Sequence, residues 1–92
     1  MDIKDMKFKI TPKAIAKVEE NYPDFNIVEV YINCQSNDKN PKISDALKII
    51  YTGYIGAGNK EMSYEDFEKE LEDVHFVTIN NIAVGLLTNL KN

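Results

Sequence analysis

The stretch most suggestive of chemistry is GYIGAGNK at residues 53–60. A phosphate-binding loop reads G-x-x-x-x-G-K-[ST], and Gly53 and Gly58 have the separation of its two glycines. The match then fails, because Asn59 stands where the lysine should be and Lys60 where the hydroxyl residue should be. Such a loop also follows a strand, whereas a helical pattern precedes this one. We therefore interpret the stretch as the end of a helix and a turn.

The only histidine, His75, and the only cysteine, Cys34, are the remaining candidates for chemistry. A lone histidine needs cysteines or several well-placed carboxylates to build a zinc site, and at a helix boundary it more often makes a structural hydrogen bond. The two residues could pair as base and nucleophile, but neither lies in a recognisable signature, and a single cysteine is usually a small hydrophobic residue. We expect no catalytic residue, metal site or cofactor, and predict that the protein is not an enzyme.

Charge is unevenly distributed along the chain. Residues 1–17 carry five lysines against two acids, whereas residues 60–73 carry seven acids against two lysines. The acidic run has no second group of carboxylates facing it, so it is typical of a solvated helix face rather than of an acid–base pair. Two interpretations stay open: both charged segments are ordinary solvated faces, or opposite ends of neighbouring subunits attract each other in a head-to-tail assembly.

Length and composition restrict the function further. The 92 residues make one domain, 1–92, with a formal net charge of -4 and no arginine. Arginine is the best donor to phosphates and base edges, so nucleic-acid binding is disfavoured. A single cysteine cannot form an internal disulfide, no segment reaches the roughly 18 apolar residues of a membrane span, and the N-terminus lacks the apolar run of a signal peptide. We expect a cytoplasmic protein with no membrane partner.

The element around which the chain is organised is a predicted central helix over residues 41–58. Its apolar residues are spaced four, three, four and three apart, and further apolar residues widen this stripe. The stripe consists of Ile43, Leu47, Ile50, Tyr54 and Ala57, widened by Ala46, Tyr51 and Ile55. Pro41 suits the first turn, and Gly56 to Gly58 suit a left-handed stop.

The segments before this helix are less uniform. Residues 3–10 alternate apolar residues with lysines, which is typical of a half-exposed strand or an extended arm. Thr11 and Pro12 predict the cap and first position of a helix that ends before Tyr22, because a residue preceding proline avoids helical geometry.

Residues 24–34 are ambiguous between strand and helix. A helix capped by Asp24 would place Phe25, Val28 and Ile32 on one face, whereas the density of β-branched residues favours a strand. We choose the helix, because a lone strand would have nothing to pair with except residues 3–10. The polar residues 35–40 then predict a loop.

Two further helices complete the chain. Ser63 caps the first, with Asp66 in its first turn and an apolar face made by Tyr64, Phe67, Leu71 and Val74. The second has an apolar face made by Phe76, Ile79, Ala83, Leu86 and Leu90, widened by Val77, Ile82, Val84 and Leu87. Gly85 inside it predicts the close approach of another backbone. Either the central helix or another subunit covers the apolar surface of this last helix.

The fold class that follows is mainly α: a small single domain of four or five helices, with a short N-terminal strand or extended arm. Three segments carry a resemblance to a known family. They are Lys9-Ile10-Thr11-Pro12, the run from Asp45 through Gly53, and the run from Ser63 through Glu70. In their order, these segments resemble the short tail assembly chaperones of long-tailed (siphovirus-type) phages and prophages of Gram-positive bacteria.

The resemblance implies a non-enzymatic protein of the bacterial cytoplasm that binds the tape measure protein and recruits tail tube subunits. It implies no catalytic residues. A chaperone of this kind needs apolar surfaces for transient binding, so we predict a homo-oligomer that associates through Tyr51, Ile55, Leu86, Leu87 and Leu90. The alternative function is a small phage or host regulatory module that binds a different partner protein.

Overall fold

The computed structural model describes residues 3–90, which form five α-helices. Their bounds are α1 Pro12–Asn21, α2 Ile27–Asn37, α3 Ile43–Gly56, α4 Tyr64–Glu70 and α5 Phe76–Asn89. A short 3-10 helix, Ile3–Asp5, precedes them, and the described residues contain no strand. The prediction of a mainly helical fold with four or five helices is confirmed.

The helix α3 lies at the centre of the fold. Its neighbours α1, α4 and α5 all pack against it, and α5 makes the most extensive contact. All six residues from 49 to 54 are buried, so this part of α3 is covered on every side. The predicted central helix is therefore confirmed, and the last helix covers it within the same chain.

Both ends of α3 differ in detail from the sequence prediction. The helix begins at Ile43 with Lys42 as the N-cap, so Pro41 precedes the cap instead of occupying the first turn. Ile43, predicted to lie on the apolar stripe, is 47% exposed in the first turn of the helix. At the other end, Gly58 has a φ of 77°, the left-handed stop that the glycines predicted.

Capping side chains set the beginnings of α1 and α4 where the sequence predicted them. The Ala14 N–H donates to Thr11 Oγ1 (3.1 Å), and Pro12 occupies the first helical position, where its missing N–H costs no hydrogen bond. The Asp66 N–H donates to Ser63 Oγ (3.1 Å) in the same way. The helix α1 ends at Asn21, just before Tyr22, as expected.

The helix α2 confirms the choice of helix over strand, but its bounds differ from the prediction. Its N-cap is Asn26, whose Oδ1 accepts from the Glu29 N–H (3.0 Å), and not Asp24. It also continues to Asn37, through half of the predicted loop. Asp38 ends it in a left-handed conformation with a φ of 47°.

The N-terminal arm, which we define as residues 3–11, runs across the C-terminal half of α3. The Lys9 N–H donates to the Gly53 carbonyl (2.9 Å), and Asn59 Nδ2 donates to the Lys7 carbonyl (2.6 Å). Ile3 and Met6 are buried, whereas Lys7 and Lys9 are exposed. The alternation predicted from the sequence is thus present, but the strand alternative is wrong, because the described residues offer the arm no other strand to pair with.

Close backbone contact occurs at two glycines of α3 and not at Gly85. A Cβ added at Gly56 would overlap the Lys9 carbonyl, and one at Gly53 would lie 3.1 Å from Leu86 Cδ1 and 3.3 Å from Phe8 Cβ. A Cβ at Gly85 would meet nothing within 4 Å. The prediction that Gly85 admits another backbone is therefore wrong, since this position faces solvent.

Replacing a helical glycine by alanine should change the free energy of unfolding in opposite directions at Gly85 and Gly56. Gly85→Ala should raise the free energy of unfolding by about 0.5–1 kcal/mol, because alanine has the higher helix propensity and space is open. Gly56→Ala should lower it by about 1–3 kcal/mol, because the new methyl group collides with the arm. Urea denaturation of both variants measures the difference. A stabilising effect of Gly56→Ala would contradict the position of the arm.

Candidate functional site

The five residues predicted to mediate self-association differ in their burial and in the residues that they contact. Leu86 lies beside Gly53, Leu87 borders a groove between α2 and α5, and the Tyr51 ring contacts Tyr64 of α4. Tyr51, Leu86 and Leu87 are buried within the single chain, whereas Ile55 and Leu90 are half-buried. Three of the five positions are therefore part of the core of this chain.

The apolar side chains that do face solvent are different ones. Val28 and Ile32 on α2 are 51% and 54% exposed, and Phe76 and Val77 at the start of α5 are 65% and 48% exposed. The sequence pattern grouped Val28 and Ile32 with Phe25, which precedes α2. The residues of α2 that pack against the core are Ile27, Val30, Tyr31 and Cys34.

A signal for the correct face of α2 was present in the sequence. Ile27, Val30, Tyr31 and Cys34 are spaced three, one and three apart, which is also a helical stripe, and it carries larger total apolar surface than Val28 and Ile32. With two apolar stripes on one short helix, both cannot be buried in a five-helix domain. Val28 and Ile32, which we call the α2 stripe, remain exposed.

An aromatic cluster joins α3 to the two helices that flank it. Tyr64 contacts the rings of Tyr22 (5.2 Å between centroids) and Tyr51 (5.4 Å), and Phe67 contacts Tyr51 and Tyr54. Such edge-on and tilted pairs contribute stability beyond their buried area.

Two tyrosine hydroxyls of this cluster fix the connection between α3 and α4. Tyr51 Oη donates to the Met62 carbonyl and Tyr54 Oη to the Lys60 carbonyl, both at 2.6 Å. These bonds satisfy the phenol groups inside the fold, which would otherwise be costly to bury. The cluster therefore has a structural role, and its rings are not free for stacking on a ligand.

The oppositely charged segments meet within the chain. Lys17 Nζ lies 3.4 Å from Glu61 Oε1, and the Tyr22 hydroxyl donates to Glu65 Oε1 (3.5 Å). The Lys17–Glu61 pair is solvent-exposed, and such pairs contribute at most about 1 kcal/mol. The contact places part of the basic segment beside part of the acidic one, instead of at the opposite end of the molecule.

Cys34 is half-buried at the edge of the groove between α2 and α5. Burial raises the pKa of its thiol, the nearby Lys39 lowers it, and Asp45 raises it again, so the net shift is upward. A raised pKa disfavours the reactive thiolate. The groove has a volume of about 290 Å³ and is also bordered by Tyr31, Val84 and Leu87.

His75 has a structural hydrogen bond, as the sequence indicated. It is the N-cap of α5, where its Nδ1 accepts from the Val77 N–H (3.1 Å), and its ring stacks on Phe76. Cys34 borders the same groove as Val84 and Leu87, about 14–18 Å along α5 from His75 at 1.5 Å per residue. The structure does not bring this base and thiol together.

The glycine-rich stretch also has a structural position. Gly53 and Gly56 belong to α3, and Asn59 Nδ2 donates to the carbonyls of Lys7 and Tyr54. No strand leads into it, in contrast to a phosphate-binding loop. Within residues 3–90, no group of three or more His, Cys, Asp or Glu side chains is placed to hold a metal ion.

None of the helices described here combines the length and the apolar character that a membrane span requires. Comparisons with protein-family models, with curated proteins and with solved structures gave no significant match.

Because Leu87 is buried within the chain, a substitution there should change the stability of the fold. Leu87→Ala should lower the free energy of unfolding by about 2–5 kcal/mol, because it leaves a cavity between α2 and α5. Leu90→Ala, at the half-buried end of α5, should cost clearly less. Denaturation with circular dichroism detection compares the two variants, and equal losses would contradict the different burial of the two leucines.

The aromatic cluster also predicts how stability depends on alkaline pH. Burial raises the pKa of Tyr64 to about 12, with nearby Glu68 and Tyr22 adding to the effect, and burial raises the pKa of Tyr22 and Tyr51 as well. The unfolded chain therefore loses these phenol protons first. The contribution to stability is complete below pH 10 and is lost as pH rises toward 12.

Tyr64→Phe tests this dependence, because it keeps the ring and removes the ionisable hydroxyl. The urea midpoint of the parent chain should fall between pH 10 and pH 12, and that of Tyr64→Phe should fall less steeply over the same interval. Identical slopes for the two proteins would show that Tyr64 ionises as easily when folded as when unfolded.

Proposed function

We propose that this protein is a non-enzymatic tail assembly chaperone of a long-tailed phage or prophage, which acts in the cytoplasm of the bacterial host. It binds the tape measure protein through the α2 stripe and recruits tail tube subunits. The observation that carries this proposal is the exposure of Val28 and Ile32, one helical turn apart on the outer face of α2.

The geometry of the α2 stripe suits a helical partner. Side chains at positions i and i+4 lie on the same face of a helix, so Val28 and Ile32 form a ridge that fits the groove of a second helix. Helix-in-groove recognition uses apolar anchors with this spacing. A long helical protein such as a tape measure protein supplies many such grooves along its length.

The size of the stripe suits transient binding. Two exposed side chains cover far less than the roughly 1,200 Å² that stable interfaces bury in total, so a single contact of this kind is weak. A chaperone that leaves the finished particle needs contacts that can be released. Many weak contacts along one partner also add up through their high effective concentration.

A second exposed patch is available for the second partner. Phe76 and Val77 lie at the first turn of α5, on a different helix from the α2 stripe. A protein that connects tape measure and tube subunits requires two binding surfaces. The described part of the fold leaves both of these patches exposed.

The three segments that carry the family resemblance have structural roles in this fold. Lys9 to Pro12 join the arm to α1, Asp45 to Gly53 form most of α3, and Ser63 to Glu70 include α4 with its cap. The resemblance therefore concerns the scaffold, whereas the α2 stripe lies outside these three segments.

The proposal predicts that the α2 stripe is needed for tape measure binding and not for folding. The tagged parent chain is co-expressed with the tape measure and tail tube proteins encoded by the genes beside its own, and it should capture both. Val28→Asp with Ile32→Asp should lose most of the captured tape measure protein, because each aspartate places a charge in an apolar contact. Asn33→Asp with Ser36→Asp is the matched control, since it adds the same two negative charges at exposed polar positions of α2.

The possible outcomes distinguish an error in the proposed function from an error in the proposed binding surface. Equal capture by parent and double variant, with unchanged circular dichroism, would move the binding site away from α2. Failure of the parent to capture either tail protein would contradict the chaperone proposal. In that case, capture of a transcription or replication component would favour the alternative of a regulatory module.

A further inference from the structure

We infer that α2 is a lid, which detaches from α5 and melts while the other four described helices stay folded. The closed fold exposes one apolar stripe of α2, the α2 stripe. The open state exposes a second one, which we call the inner stripe, together with the wall of the groove on α5. The inner stripe consists of Ile27, Val30, Tyr31 and Cys34. This inference depends on the packing of α2 and is independent of the proposed tail function.

The helix α2 has the smallest buried share of the five described helices. One of its 11 residues, Ile27, is buried, compared with seven of 14 in α3 and four of 14 in α5. The other three residues of the inner stripe are half-buried. Local stability rises with the apolar surface that an element removes from water, so separating α2 costs less free energy than unfolding α3 or α5.

Open space flanks the inner stripe on both sides. The groove of about 290 Å³ separates Tyr31 and Cys34 from Val84 and Leu87 of α5. A second cavity, of about 300 Å³, lies between α2 and the residues that lead into α3, and Cys34 borders both spaces. Atoms that face open space instead of neighbouring atoms lose part of their van der Waals attraction. The inner stripe therefore holds α2 less tightly than a close-packed interface would.

No hydrogen bond among the described residues joins α2 to another helix. The side-chain hydrogen bonds of α2 are internal to the helix and its cap. Asn26 Oδ1 accepts from the Glu29 N–H, and Asn37 Nδ2 donates to the Asn33 carbonyl. The helix α3, by contrast, is bonded to the N-terminal arm through the Gly53 carbonyl. Detachment of α2 from α5 therefore breaks no hydrogen bond between helices.

Detachment of α2 also melts it. A helix of 11 residues is marginal at best in water on its own, so α2 loses its internal hydrogen bonds once it leaves α5. Asp38 favours the same change, because its φ of 47° lies in the left-handed region, which residues with a Cβ rarely adopt. Melting of the helix end relieves that strain. The backbone amides of α2 then exchange with solvent in the open state.

Opening changes which apolar side chains face solvent. Leu87 is buried in the closed fold and borders the groove, so the departure of α2 uncovers it. The inner stripe is uncovered at the same time, while Val28 and Ile32 are already exposed in the closed fold. The lid thus separates a closed form with one exposed stripe on α2 from an open form with apolar surface on both α2 and α5.

Native-state hydrogen exchange on the ¹⁵N-labelled full-length chain tests the inference. The amides of residues 31–34 should share one opening constant, about tenfold or more above that of residues 49–54 in α3. Its urea dependence should be less than about half of that found for α3, because opening exposes only part of the surface that global unfolding exposes. Equal constants and slopes in the two helices would overturn the inference. Constants that rise steadily toward the end of α2 would also overturn it, since they indicate fraying.

A pair of alanine variants tests whether the inner stripe holds the lid closed. Tyr31→Ala removes a half-buried side chain that borders the groove, so the opening constant of residues 31–34 should rise about tenfold or more. Val28→Ala is the matched control, since it truncates an exposed side chain of the same helix and should leave the constant unchanged or lower it. Equal increases in both variants would contradict the role of the inner stripe. If Tyr31→Ala fails to fold, the comparison of α2 with α3 in the parent chain still decides the inference.

Discussion

The burial of six consecutive residues in α3, 49 to 54, is the constraint on which the rest of the fold depends. A helix has 3.6 residues per turn, so six adjacent buried residues leave no side of the helix in contact with water. One neighbouring helix covers only one face. This stretch therefore requires α1, α4 and α5 on different sides and the arm across the remainder, and a single 14-residue helix determines the arrangement of nearly the whole chain.

A fully covered helix has two physical requirements that its residues meet. Where the arm crosses, Gly53 and Gly56 remove the side chains that would hold the backbone away. Where polar groups are enclosed, they are hydrogen-bonded: Thr52 donates to the Lys48 carbonyl, and Tyr51 and Tyr54 donate to the connection before α4. These hydrogen bonds satisfy the buried tyrosine hydroxyls and also hold the connection between α3 and α4 in place. Ser63, at the end of that connection, caps the next helix.

The sequence predicted those features that depend on neighbouring residues. The caps Thr11 and Ser63, the left-handed Gly58 and the periodicity of α3 were all identified, because capping and helical spacing are local properties. The errors arose where tertiary position decides. Gly85 and Gly56 are both helical glycines, and only packing determines which of them lies beside another backbone. Tertiary packing likewise determines which of the two apolar stripes of α2 lies against the core.

The same reasoning explains why the predicted interaction residues were mostly core residues. Ranking a helix by its apolar surface selects the face that folding buries first, because the free energy gained by removing apolar area from water is the same whether the covering surface is internal or external. Leu86 and Leu87 satisfied that criterion, and both are buried in the core of the chain. Apolar side chains free to contact a partner are instead those that stay exposed after the core is complete, and in this chain they include the α2 stripe and the first turn of α5. Candidate interaction residues in a small helical domain are therefore better sought on second stripes and at helix ends than on its most apolar face.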